Sequence, residues 1–248
     1  MITIKTKEQI ELMREPNRLT KEVLEVLLKS AKEGMTTHAL DKIAYEFIKD
    51  NGAEPSFLGY QGYPASTCIS IEDMVVHGIP SNKIYLKENQ IISVDVGVYL
   101  NGYHGDAARS FFVGGIDADK KRLIDVTKEC FYKAIEDLGV GSPIGNIGYK
   151  VQTHAEGNGY SVVREMVGHG IGRAMHEDPQ VPNFGKKGTG VRLKSGMTLA
   201  IEPMINMGRK EIKFLSDGWG VATQDGKPSA HYENTVLITD EGVEILTL

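Results

Sequence analysis

The stretch VDVGVYLNGYHGD, residues 94–106, predicts a β-hairpin that brings two carboxylates together. The Asn-Gly pair at 101–102 is a strong signal for a two-residue turn, because both central residues of a type I′ turn need a positive φ. With this turn, Asp106 lies opposite Gly97, and Asp95 points to the same face two residues away. The two carboxylates are then diagonal neighbours about 7–8 Å apart. Like charges at this distance repel unless protons or cations share the site, so the hairpin predicts a cation site.

The composition is that of a globular protein with a sizeable core. The chain has 248 residues, of which 41% are hydrophobic and 25% are charged, and this length fits one large α/β domain or two small ones. A formal charge of −5 without a block of like charges argues against a nucleic-acid surface. The first residues are amphipathic rather than apolar, and no run of about 18 apolar residues exists to cross a bilayer. We expect a cytoplasmic monomer that binds neither nucleic acid nor membranes.

The second half of the chain repeats the plan of the first half. Residues 19–34 align without gaps on residues 126–141, an offset of 107. The superposed ionisable residues are Asp95 with Glu202 at this offset, and His77 with His169 at an offset of 92. Because acidic residues fall on acidic residues and His falls on His, the repeat indicates a pseudo-symmetric α/β fold with one site between its halves.

We predict one catalytic domain over residues 1–248, with an internal pseudo-repeat of roughly 19–112 and 126–239. Thr6 and Gln9 predict a capping box at the start of the first helix, and Pro16 is expected to break that helix. The predicted strands include 67–71, 91–99, 103–112, 198–205 and 231–239.

Several ionisable residues lie beside apolar or Gly-rich sequence: His77, Asp95, Asp106, His169, His176, Glu202 and Glu233. Taken singly, an Asp in a strand or a His near Gly is more often structural than functional. Together, four carboxylates and one imidazole form an oxygen-rich set that suits Mn²⁺, Fe²⁺, Co²⁺ or Zn²⁺. Four buried carboxylates match two divalent ions better than one, and paired metals about 3.5–4 Å apart activate water for hydrolysis.

No competing catalytic motif is present in the sequence. The chain lacks G-x-S-x-G, H-E-x-x-H, a P-loop and G-x-G-x-x-G. Cys68 and Cys130 are far apart without C-x-x-C spacing, which argues against a thiolate metal site. The aromatic loop FLGYQGYP, residues 57–64, either walls an apolar pocket or packs on the core, and both interpretations stay open.

Six stretches together resemble the type I methionine aminopeptidases of bacteria: GYQGYPASTCIS, VVHGIPS, DVGVYLNGYHGDAARSF, VVREMVGHGIGRAMHEDPQVPNFG, LKSGMTLAIEPM and HYENTVLIT. The resemblance runs from about residue 3 to the C-terminus. It implies the pita-bread fold, an α/β (α+β) architecture with pseudo-two-fold symmetry and a central curved, mostly antiparallel sheet covered by helices. It also implies a cytoplasmic metalloprotease that removes the initiator methionine from nascent chains, near the ribosome, and prefers a small second residue.

The resemblance implies a role for each candidate site residue. Two divalent cations (Co, Mn, Fe or Zn) would be held by Asp95, Asp106, His169, Glu202 and Glu233. Glu202 would also shuttle a proton, His176 would contact the scissile carbonyl, and His77 would contact the next peptide unit. The residues matching the methionine pocket are Tyr60, Tyr63, Cys68 and Trp219, with Phe57 and Met175 as departures from the family's usual residues.

Two alternatives remain open at the level of the sequence. A proline-specific peptidase of the same fold would use the same ligand set, although such relatives usually carry an additional N-terminal domain that we do not expect here. A non-catalytic peptide-binding module would have lost ligands, whereas all five are present.

Overall fold

The computed structural model describes residues 2–248, in which helices cover antiparallel sheets. The helices are α1 (Lys7–Ser30), α2 (Thr37–Asp50), α3 (Ala118–Ile135) and α4 (Gly145–Gly157). The strands are β1 (Glu54–Pro55), β2 (Thr67–Ile71), β3 (Met74–Val76), β4 (Ile92–Leu100), β5 (Tyr103–Phe111), β6 (Ser161–Val162), β7 (Gly168–Gly170), β8 (Glu177–Val181), β9 (Thr198–Ile201), β10 (Met204–Asn206), β11 (Ile212–Phe214), β12 (Val221–Thr223), β13 (Ser229–His231), β14 (Asn234–Thr239) and β15 (Gly242–Ile245). Over these residues, no helix has the length and apolarity needed to cross a membrane.

Helix α1 begins as predicted, but the predicted break at Pro16 is wrong. The backbone N–H of Gln9 donates to Thr6 Oγ1 at 3.3 Å, and the Gln9 side chain accepts from the Thr6 N–H at 2.9 Å, which forms the capping box. The helix continues through Pro16, which lies on its buried face. The side-chain amide of Asn17 donates to the Met13 carbonyl at 2.7 Å and so supplies a hydrogen bond beside the proline.

Strands β4 and β5 form the predicted hairpin in the predicted register, with Gly97 opposite Asp106. Both residues of the turn at 101–102 have a positive φ, of 56° and 83°. The apolar residues of β4, which include Val94 and Val96, pack into a cluster with residues of α1 and α2. Because side chains alternate along a strand, Asp95 and Gly97 point to the opposite face, away from these helices.

The sheets are antiparallel throughout the described residues. Strand β4 pairs with β5 along one edge and with β2 and β1 along the other. The largest sheet has the order β15-β14-β9-β7-β8, and three-stranded sheets have the orders β13-β10-β6 and β11-β12-β3. The first and second halves of the chain meet at the start of β14, where the Glu233 N–H donates to the Ala108 carbonyl of β5 at 3.0 Å.

Two predicted strands are interrupted, so the prediction of continuous strands over 198–205 and 231–239 is wrong. The first is broken between β9 and β10 at residues 202–203, and the second is broken between β13 and β14 at residues 232–233. Pro203 has no N–H with which to continue a ladder. Each interruption places a candidate ligand, Glu202 or Glu233, on irregular backbone between two short strands.

The helices follow the offset of 107 residues found in the sequence. This offset carries α2 onto residues 144–157, and α4 spans Gly145–Gly157. The two helices end alike, with Asn51 and Asn158 both at φ −92°. The glycines that follow them, Gly52 and Gly159, both have a positive φ. One apolar cluster contains residues of α1 and α2, and a second contains residues of α3 and α4.

Gly97→Ala should destabilise the protein by about 1–3 kcal/mol through overpacking. A Cβ at this position would lie 2.8 Å from Ser56 Cβ and 3.0 Å from Phe57 Cε1, so the segment before β2 must move. Urea unfolding measures the change. Gly115→Ala is the control, because a Cβ there meets no atom within 4 Å, and we expect it to stay within about 0.5 kcal/mol of wild type. Equal effects at the two positions would contradict the close approach.

Candidate metal centre and catalytic cavity

All of the site residues predicted from the sequence line one cavity of about 380 Å³. The acidic and imidazole residues on its wall are Asp95, Asp106, His169, Glu202, Glu233, His77 and His176. The aromatic, thiol and thioether residues on its wall are Phe57, Tyr60, Tyr63, Cys68, Met175 and Trp219. The fold therefore joins the charged cluster and the aromatic loop in a single concave site.

Three buried residues offer ligand atoms that lie close enough to share one cation. One atom each from Asp106, His169 and Glu233 lies within 4.8 Å of the other two. His169 Nε2 is 3.7 Å from Asp106 Oδ2 and also 3.7 Å from Glu202 Oε1. His169 Nδ1 lies 2.9 Å from the Gly170 carbonyl, which can only accept. The ring proton is therefore on Nδ1, and the lone pair of Nε2 faces the carboxylates.

The carboxylate oxygens of this cluster fit a divalent cation. Asp95 Oδ1, Asp106 Oδ1 and Glu233 Oε1 are buried without a hydrogen-bond partner. Buried acceptor atoms in this state are costly unless a donor or a cation meets them. An oxygen-rich set with one neutral imidazole nitrogen is the donor chemistry that divalent transition metals accept.

Burial sets the charge state of these groups in the absence of metal. It raises the pKa of Asp95 to about 7. Burial and the neighbouring charge of Asp95 raise the pKa of Asp106 well above its ordinary value. Burial likewise raises the pKa values of Glu202 and Glu233, and it lowers the pKa of His169 to about 3. The imidazole is thus neutral, as a metal ligand must be, and the acidic groups favour a nearby positive charge.

The two further histidines stand beside aromatic rings of the cavity. The ring of His176 lies 4.2 Å from that of His169, and its Nδ1 is 2.8 Å from the Tyr60 hydroxyl. His77 has a positive φ of 61°, which is uncommon for a residue other than glycine. Its ring centroid lies 6.3 Å from that of Trp219, with the two rings nearly perpendicular. Burial lowers the pKa of His77 to about 4, so its imidazole is neutral.

An apolar recess adjoins the acidic cluster. Phe57, Tyr63, Cys68 and Met175 form a buried cluster of their own, and Trp219 packs against it. The rings of Tyr63 and Trp219 meet edge to face at 5.0 Å. Strand pairing sets Cys68 of β2 beside Asp95 of β4, so the recess begins directly at the carboxylates. The aromatic loop therefore both walls the cavity and packs internally.

The sequence profile of metallopeptidase family M24 matches residues 11–240. The chain belongs to metallopeptidase family M24. As a member of this family it is a hydrolase that acts on peptides with divalent metal, and the buried Asp, His and Glu cluster agrees with metal use.

Similarity to individual proteins covers the whole M24 chain. A methionine aminopeptidase of Clostridium perfringens is 52% identical over 248 residues, covering 100% of this chain and 99% of the relative. The crystal structure of methionine aminopeptidase from Rickettsia prowazekii superposes with a TM-score of 0.98 at 42% identity, covering 100% of both chains. The fold is the pita-bread fold, as expected. A prolidase from Pyrococcus furiosus shares the fold at 24% identity and a TM-score of 0.81, but the match covers only 65% of that chain.

Sequence reasoning missed several residues of this M24 site. The cavity wall also includes Gln61, Val76, Glu165, Met166 and Val167. His231, behind the acidic cluster, places Nε2 at 3.7 Å from Glu202 Oε2. A signal for His231 was present, because it lies two residues before Glu233 in a stretch with strand character.

Asp106→Asn should abolish stabilisation by metal without lowering the stability of the metal-free protein. Wild type should gain about 2.7 kcal/mol when Mn²⁺ is present at 100 times its dissociation constant. The variant loses one ligand charge but also one of several mutually repelling buried carboxylates. Urea unfolding with chelator or with Mn²⁺ measures both effects.

Asp50→Asn, at the exposed end of α2, is the matched control and should keep the full metal effect. An equal gain from Mn²⁺ in Asp106→Asn would remove Asp106 from the metal site.

Proposed function

We propose that this M24 peptidase is a methionine aminopeptidase that hydrolyses the first peptide bond of chains beginning with methionine. The observation that carries the proposal is the apolar recess of Phe57, Tyr63, Cys68 and Met175, which opens directly onto the acidic cluster. An N-terminal residue whose side chain occupies that recess would present its amino group and its carbonyl to the carboxylates and histidines. The full-length similarity to methionine aminopeptidases supports the same reading.

The recess suits a methionine side chain in size and chemistry. Met is unbranched, flexible and polarizable, and its thioether makes favourable contacts with aromatic rings such as Tyr63 and Trp219. Discrimination against a side chain one methylene different is worth only about 1–3 kcal/mol in such a pocket. A second filter would come from the mouth of the cavity, where Tyr60 and His176 lie together and leave most room for a small second residue.

Five residues would hold two divalent cations, chosen from Co, Mn, Fe and Zn: Asp95, Asp106, His169, Glu202 and Glu233. Asp106 and Glu233 would serve both ions. When bound, such cations polarise a carbonyl and lower the pKa of water. The residues around them bind the substrate, hold protons and exclude solvent.

His176 orients and stabilises the scissile carbonyl. Tyr60 and His176 share a hydrogen bond at Nδ1. When the hydroxyl is the donor, the ring proton is on Nε2, and Nε2–H can donate to the carbonyl oxygen as negative charge develops there. His77 donates to the next peptide unit. Glu202, whose carboxylate lines the cavity beside His169, takes a proton from the attacking water and delivers it to the leaving amine.

The substrates would be the N-termini of nascent polypeptides, and the activity would lie in the cytoplasm near ribosomes. The proline-specific reading has no observation in its favour beyond the shared fold and ligand set.

The proposed function is tested by stripping the protein with chelator and adding back Mn²⁺, Co²⁺, Fe²⁺ or Zn²⁺ singly. Release of the first residue is then followed for Met-Ala-Ser, Leu-Ala-Ser and Ala-Pro-Ser. Metal-dependent cleavage of the Met peptide alone is expected. Cleavage only before Pro would assign the protein to the proline peptidases, and no cleavage with any metal would favour a binding module.

His176→Ala should lower kcat by about 10²–10³, the loss usual for one oxyanion-stabilising donor. Metal affinity should not change, because His176 is outside the proposed ligand set. Steady-state kinetics on Met-Ala-Ser and calorimetric titration of Mn²⁺ measure the two quantities. His154→Ala is the control, since His154 on α4 pairs with Glu129 away from the cavity. Retained kcat in His176→Ala would end its catalytic assignment.

A further inference from the structure

His231 is a buried histidine that the proposed reaction does not use. Its side chain is only 2% exposed. Its Nε2 is buried without a hydrogen-bond partner, yet it lies 3.7 Å from Glu202 Oε2 and 3.9 Å from Glu233 Oε2. Buried polar atoms normally have a hydrogen-bond partner, so a buried nitrogen that faces two carboxylates without bonding to either needs an explanation.

The backbone of His231 is fixed on both sides. Its N–H donates to Ser110 Oγ at 2.8 Å, and the Ser110 hydroxyl donates back to its carbonyl at 2.9 Å. On the other side, β13 pairs with β10, with His231 opposite Met204. Strand β10 begins directly after the interruption at residues 202–203, and β13 ends directly before the one at residues 232–233. The His231 ring therefore lies next to the irregular backbone that carries Glu202 and Glu233.

Neither the Glu202 nor the Glu233 carboxylate receives a hydrogen bond within residues 2–248, but Glu202 has an imidazole nitrogen near each of its oxygens. The Glu233 backbone is held by the Ala108 carbonyl and by the guanidinium of Arg109. The backbone carbonyl of Glu202 likewise accepts from Asn183 Nδ2 at 2.8 Å. Two imidazoles stand at the two carboxylate oxygens of Glu202, His169 at Oε1 and His231 at Oε2, each at 3.7 Å.

We propose that His231 is a positioning residue for the metal centre: its Nε2–H donates to Glu202 and fixes the plane of that carboxylate. The inference rests on the proposed function in one respect, that Glu202 is a metal ligand. The present separation exceeds a hydrogen bond by about 0.5–1 Å, a distance that a small rotation of the Glu202 side chain closes. Partners of this kind orient metal ligands, and losing one typically weakens metal binding by about 10–100-fold.

The test measures Mn²⁺ affinity by calorimetry on the chelator-stripped full chain. His231→Leu removes the donor and should weaken binding by about 10–100-fold. His231→Gln keeps a side-chain N–H and should stay within about threefold of wild type, a margin well inside the loss expected for Leu. Thermal unfolding of the metal-free proteins shows whether each variant is folded.

Ser229→Ala is the matched control, because Ser229 lies on the same strand and donates to Asn206 Oδ1 at 2.9 Å rather than to a carboxylate. It should lower stability without changing Mn²⁺ affinity. Wild-type affinity in His231→Leu overturns the proposal, as does an equal loss in His231→Gln or in Ser229→Ala.

The affinity test needs no substrate, so its failure is distinct from failure of the proposed function. If the protein cleaves Met-Ala-Ser but His231→Leu leaves its Mn²⁺ affinity unchanged, the proposed function stands and this inference is wrong. Weaker Mn²⁺ binding in His231→Leu would support the inference even if another peptide proved to be the substrate.

Discussion

Mutual repulsion among buried carboxylates is the constraint around which this molecule is organised. Asp95, Asp106, Glu202 and Glu233 share one cavity, and burial raises the pKa of each. A chain would not keep such a group in its interior for stability, since replacing buried charges by apolar residues is often favourable. The arrangement makes physical sense as a place for positive charge supplied from outside. The apolar recess would then bind the substrate side chain, and the neutral histidines would orient the peptide beside the bound cations.

In the first half of the chain, the two faces of one strand have different environments. One face of β4 packs on α1 and α2, so its alternate residues, Asp95 among them, are free to line the site. In the second half the strands break at the acidic residues instead. The breaks at residues 202–203 and 232–233 turn two side chains inward without extending the ladder. Regular strands therefore carry Asp95, Asp106 and His169, and the irregular positions between strands carry Glu202 and Glu233.

Local signals explain which parts of this could be predicted from sequence. The register of the β4–β5 hairpin followed from its Asn-Gly turn, because turn chemistry is decided by neighbouring residues. The predicted helix break at Pro16 was wrong, because the hydrogen bond from the Asn17 side chain to the Met13 carbonyl is visible only in three dimensions. Pro203 was a local signal for the break at residues 202–203, because it has no N–H for a ladder. The break at residues 232–233 depends on pairing between distant segments, which propensity does not encode. His231 was missed although it lies two residues before Glu233, because its contacts with Ser110 and Glu202 join segments that are distant in the sequence.

The pairing of Glu233 with Ala108 joins the two halves of the chain, and it determines when during synthesis the site can form. Asp95 and Asp106 lie in the first half of the chain, whereas His169, Glu202 and Glu233 lie in the second. During synthesis, Asp95 and Asp106 are made long before Glu233, so the set stays incomplete until residue 233 has left the ribosome. An N-terminal fragment that ends before residue 233 lacks part of the acidic set. The site can therefore assemble only after residue 233 has been made and its backbone has paired with Ala108.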